Sequence, residues 1–98
     1  MTGSIVEAMD SMTVMGTTAA MLTSLSYIPQ VQKAWPSGAT ESLSWKTLSA
    51  LTLGLAIWVA YGIARGDWVI ASANLVGGSL SATVLSFKVR DMLQSRRS

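Results

Sequence analysis

The chain has no cysteine and no histidine. Disulfides and thiol chemistry are therefore excluded, and a metal site is not expected without these ligand types. Charge is scarce too: 12% of the 98 residues are charged, against 50% that are apolar. The charges are also segregated, because residues 11–32, 47–64 and 69–87 form uncharged runs of 22, 18 and 19 residues. Proton-coupled carriers usually hold acids or histidines inside their spans as relays, and these runs contain none. An enzyme needs a general base or an activated nucleophile, and only scattered hydroxyls are on offer. Neither catalytic residues nor a cofactor are expected.

The runs themselves read as membrane helices. A span needs ~20 largely apolar residues to cross ~30 Å of hydrocarbon. Three fit, at about 11–32, 47–64 and 68–87, and the mean hydropathy of +0.43 is high for so short a chain. A soluble three-helix bundle would show a charged face at every 3.6 residues, and none of the runs does. A cleaved signal peptide is not expected either, since the first ten residues carry Glu7 and Asp10 but no Lys or Arg. The expectation is an all-α integral membrane protein in one domain, residues 1–98, built as a three-transmembrane-helix bundle.

Along the chain, Ser4 and Glu7 have the S-x-x-E spacing of a capping box, which places a helix start ahead of the first span. That span is rich in small residues, among them Gly16, Ala19, Ala20, Ser24 and Ser26, and is expected to pack on protein along most of its length. Pro29 lacks an N–H, which strips the Leu25 carbonyl of its helical partner and predicts a bend there. Pro36 and Gly38 punctuate the one long loop, after which Ser42 or Ser44 can cap the second helix. Trp35, Trp45 and Trp68 fall at span ends, where aromatic belts sit, whereas Trp58 lies well inside a span.

Basic residues set the orientation. The N-terminus and second turn hold one, Arg65; the first loop and tail hold six, Lys33, Lys46, Lys88, Arg90, Arg96 and Arg97. Cytoplasmic flanks collect Lys and Arg. The N-terminus is thus expected outside and the C-terminus cytoplasmic, in a plasma (cell inner) membrane. The net charge of +2 is explained by topology, and no nucleic-acid partner is expected.

Residues 51–78 form the centre of the reading: two apolar arms around Arg65-Gly66-Asp67. Trp58 lies seven residues before Arg65 and Asn74 seven after Asp67, so both fall roughly 10 Å in from the turn. An aromatic face and an amide at one depth can bind a small polar ring. Gly54, Trp58, Tyr61 and Arg65 recur along one face of the second helix, and Ile70, Asn74, Gly77 and Ser81 along one face of the third. Three helices packed around one another are expected to leave no room for a polar path between them.

Four blocks carry a family resemblance: Tyr27-Ile-Pro-Gln-Val, Gly38-Ala-Thr-Glu-Ser-Leu-Ser, Trp58-x-x-Tyr61-Gly62 and Asn74-x-x-Gly77. Together they resemble the bacterial SemiSWEET sugar transporters, half-size members of the PQ-loop group, over about residues 12 to 90. The resemblance implies a parallel homodimer in the lipid bilayer with a sugar held between two copies of Trp58 and Asn74. It further implies an outer gate of Tyr61, Arg65 and Asp67 and an inner hinge at Pro29 and Gln30. The expected function is a facilitative uniporter for a mono- or disaccharide, working by alternating access. The alternatives are a PQ-loop amino-acid carrier and a non-transporting accessory or holin-like membrane protein.

Overall fold

The computed structural model describes the backbone of residues 2–97 and the side chains of residues 11–96. Three helices account for most of it: α1 (Thr2–Ala34), α2 (Trp45–Arg65) and α3 (Trp68–Arg97). The all-helical expectation is met. α1 is already helical at Thr2, so Ser4 lies within its first turn rather than ahead of it. The side chains of the expected Ser4–Glu7 capping box lie outside the described residues. Pro29 is inside α1, and the helix continues through it to Ala34.

The α2–α3 hairpin is tight because each residue of its turn has one task. Gly66 adopts φ 67°, the left-handed conformation that ends α2, and its N–H bonds the Ile63 carbonyl at 3.0 Å. The Asp67 N–H reaches back to the Gly62 carbonyl at 2.8 Å, while its Oδ1 accepts from the Ile70 N–H at 3.1 Å and caps α3. At the other end of α2 the cap is Ser44, whose Oγ accepts from the Thr47 N–H at 3.2 Å.

The helices do not pack around one another. α1 and α2 each pack on α3, and their backbones do not approach each other, giving a plate of 68 × 24 × 14 Å with α3 in the middle. The expectation of a mutually packed bundle is corrected on this point. The cause lies in which residues can approach closely. In α1 the covered positions are Gly16, Ala20, Ser24, Tyr27, Val31 and Ala34, one stripe at helical spacing that meets α3. The remainder of α1, including Met12, Met15, Met21 and Leu22, is exposed, so α1 packs on protein along one stripe only. In α2 the matching stripe is Leu48, Thr52, Leu55, Val59 and Gly62. Gly62 allows the closest approach: a Cβ there would lie 2.6 Å from the Ala71 backbone nitrogen. Lower down, the Thr52 and Ser81 hydroxyls bond across the helices at 2.8 Å.

α2 and α3 are long and apolar enough to cross a membrane; α1 is long enough but less apolar. Thr13, Thr17, Thr18, Thr23, Ser24 and Ser26 dilute its hydropathy.

The far end of α3 is tied to the first loop. Asp91 accepts from the Gly38 N–H at 3.0 Å, the Thr40 N–H at 3.1 Å and the Thr40 Oγ1 hydroxyl at 2.6 Å. Arg90 pairs with Asp91 at 2.8 Å and donates to the carbonyls of Ala34, Trp35 and Pro36, which close the end of α1. Lys88 donates to the Thr40 carbonyl at 2.9 Å, and Thr40 is fully buried. Lys88 and Arg90, read from sequence as topology charges, thus also hold the loop. The Arg90 guanidinium, then the Thr40 hydroxyl and the Gly38 N–H, keep the Asp91 carboxyl well below the usual carboxylate range. A lowered carboxyl stabilises above its ordinary pKa and loses that contribution only as pH falls through the lowered value. Loop protection should therefore stay constant from about pH 8 to 5. Asp91→Ala leaves the buried Thr40 N–H without its acceptor, and amide exchange over residues 36–44 should quicken several-fold. Unchanged exchange in that variant would show that the carboxylate does not hold the loop.

Candidate functional site

The hairpin geometry carries Trp58 and Asn74 at the spacing counted from sequence. Both helices are continuous from the turn, α2 ending at Arg65 and α3 beginning at Trp68, so each residue stands about 10 Å from it. Trp58 is half exposed and meets Tyr61 edge to face, with ring centroids 5.4 Å apart and planes at 88°. Gly54 continues this side of α2, and a Cβ there would meet nothing within 4 Å. The face of Gly54, Trp58, Tyr61 and Arg65 is therefore open in the protomer, ending in an exposed arginine at the turn.

Asn74 is half buried on α3. Its Nδ2 donates to the Ile70 carbonyl one turn back, at 2.8 Å. Its Oδ1 has no hydrogen-bond partner among the described residues. The amide is thus held by its own helix rather than by a neighbouring one, with its acceptor end free.

The expected α3 face does not stay open below Asn74. Gly77 and Ser81 are buried, Gly77 beneath Tyr27 of α1 and Leu55 of α2, and Ser81 against Thr52. The shared periodicity of these four residues is real. The deeper two are covered by side chains of the neighbouring helices.

Arg65 and Asp67 form no ion pair with each other, and the one ion pair among the described residues is Arg90–Asp91. Asp67 spends Oδ1 on the α3 cap. At the opposite end, Gln30 lines a cavity of about 240 Å³ with Lys33, Ala39, Leu43, Leu48 and Val84. This cavity lies under the first loop, at the junction of all three helices. Pro29 is exposed beside it. No group of His, Cys, Asp and Glu suited to a metal occurs among the described residues.

Two features here are not legible in residue spacing. One is Tyr27, which packs over Gly77. The other is the Arg90–Asp91 anchor. An adjacent Arg-Asp pair just beyond an uncharged run is a visible signal, but its partners lie some fifty residues away in the chain.

The PQ loop repeat family matches residues 11–70. A protein of Escherichia coli named sugar transporter SemiSWEET is 35% identical over 79% of this chain and 86% of its own length. A protein of the same name from Leptospira biflexa is 33% identical over 78% and 89%, respectively. One from Bradyrhizobium diazoefficiens is 32% identical over 76% and 87%. No solved structure matches the chain.

Proposed function

We propose that this chain, which belongs to the SemiSWEET group of the PQ-loop repeat family, is a facilitative sugar carrier of the cell inner membrane. One observation carries the reading: Trp58 and Asn74 stand at one depth on adjacent helices, with an open aromatic face and an unpartnered amide oxygen. The Trp58 face suits the C–H surface of a pyranose ring. The Asn74 amide both donates and accepts, as a hydroxyl-rich ligand requires.

All three helices cross the bilayer in this reading, with the N-terminus outside and the C-terminus cytoplasmic. A single plate has no interior, and the uncovered faces of α1 and α2 favour a parallel homodimer that encloses the path between two plates. Symmetry then sets two Trp58 and two Asn74 about one axis. Tyr61, Arg65 and Asp67 of both protomers close the outer side, Asp67 with the oxygen that its helix cap leaves over. Pro29 and Gln30 form the hinge at the inner side, next to the cavity under the loop. Exchange between the two closures is alternating access.

Residues 11–32, 47–64 and 69–87 hold no ionisable acid, base or histidine, so transport should follow the sugar gradient alone. The test is labelled-sugar flux in proteoliposomes that contain only this polypeptide. Flux should run in either direction down its gradient and ignore an imposed pH gradient or potential. Accumulation above equilibrium under a proton gradient would overturn the uniport mechanism, and no flux of any sugar would overturn the cargo.

A further inference from the structure

We infer that Tyr27 of α1 is a third substrate-binding residue, forming the inner floor of the Trp58–Asn74 site and reading one sugar hydroxyl. This rests on the sugar-carrier reading above. The three helices converge at Gly77. A Cβ placed there would lie 3.3 Å from Tyr27 Cε2, 3.6 Å from Tyr27 Cζ and 3.7 Å from Leu55 Cδ1. Gly77 is three residues, one helical turn, beyond Asn74 on α3. Leu55 is likewise three residues before Trp58 on α2. Tyr27 and Leu55 therefore flank Gly77 three residues, ~4.5 Å, farther from the outer turn than the pair proposed to hold the sugar. That offset is on the order of the width of a pyranose ring.

The chemistry of Tyr27 fits this place. It is half buried, and its hydroxyl has no hydrogen-bond partner among the described residues. A tyrosine serving only as packing in an apolar span would bury an unpaired hydroxyl at a cost, or find it a partner. Here the ring packs over the bare backbone of Gly77 and the hydroxyl stays accessible. Trp58 then supplies a stacking face, Asn74 an amide and Tyr27 a hydroxyl, each from a different helix. α1 would thereby contribute directly to recognition, and Gly77 is the residue that lets its ring reach the site.

The test uses proteoliposomes of the full chain with D-glucose, its 2-, 3- and 6-deoxy analogues, and sucrose as probes. Tyr27→Phe removes the hydroxyl and keeps the ring. It should raise KM about fivefold for the sugars carried, the effect of one neutral hydrogen bond, with the maximal rate nearly unchanged. One deoxy analogue should show the raised KM already with the wild-type protein and no further rise with Tyr27→Phe. That coupling is a readout a packing role would not produce. Gly77→Ala, which presses on the ring, should raise KM for the larger sugar more than for the smaller. A wild-type protein that carries these sugars, with KM unaltered by Tyr27→Phe or altered equally for every analogue, overturns the Tyr27 assignment alone. A wild-type protein inactive toward all probes overturns the sugar reading and this inference together.

Discussion

Replacing Asn74 by Ala should abolish sugar uptake and leave the protein folded. The amide donates only to its own helix, to the Ile70 carbonyl at 2.8 Å, and Ala at that position leaves the helical backbone bonds intact. Asparagine in membrane helices often bonds across to a neighbouring helix, where its loss would weaken assembly. Among the described residues Asn74 has no such bond. In the proposed dimer, the variant loses a donor and an acceptor from each of two copies. At ~0.5–1.5 kcal/mol per hydrogen bond, four bonds amount to about 2–6 kcal/mol. Uptake at low sugar concentration should thus fall more than about thirtyfold, since 1.4 kcal/mol is a factor of ten. Trp58→Ala should be as severe and Trp58→Phe milder, because an aromatic face survives. The measurements are initial uptake rates in proteoliposomes and the elution volume of each variant in detergent. Normal uptake by Asn74→Ala would remove the residue from the site, and equal losses in the two Trp58 variants would argue against stacking.

The second large effect is expected at Gly62. Most small-to-larger changes on a membrane helix are absorbed by flexible side chains, but a Cβ at Gly62 would meet the Ala71 nitrogen at 2.6 Å and its Cα at 3.0 Å. Backbone cannot yield as a side-chain tip can. In Gly62→Ala, α2 and α3 must separate just below the turn, at a cost of about 1–3 kcal/mol as for other overpacked interiors. The separation also moves Trp58 and Asn74 apart, so uptake should fall along with stability. Gly54→Ala is the matched control for stability: a Cβ there meets nothing within 4 Å, and Ala favours the helix by roughly 0.5–1 kcal/mol. Thermal unfolding in detergent should therefore show a lowered Tm for Gly62→Ala and an unchanged or raised one for Gly54→Ala. Equal Tm values for the two variants would mean that the hairpin does not depend on close contact at Gly62.

The proposed dimer would cover the open faces of a flat protomer. In such a plate the Gly54–Trp58–Tyr61–Arg65 face must meet lipid or a second copy, and a face that ends in arginine suits a water-lined seam better than hydrocarbon.

The amino-acid sequence by itself determined whatever depends on position along one helix. Uncharged runs, the all-helical class, the polar turn at Arg65-Gly66-Asp67 and the equal spacing of Trp58 and Asn74 from that turn all follow from counting residues. The rise of an α-helix is fixed, so register from a turn is a local property. The tertiary structure alone decided that α1 packs on α3 and not on α2. A stripe such as Gly16, Ala20 and Ser24 announces a close contact without naming the partner, and only the fold shows that α3 lies between α1 and α2. The same holds for Tyr27 over Gly77, and for Asp91 and Arg90 on the loop some fifty residues earlier. Asp67 illustrates the division within one side chain. Its place on the turn was legible in the chain, but its use as the α3 cap depended on a hydrogen-bond geometry that residue spacing does not encode.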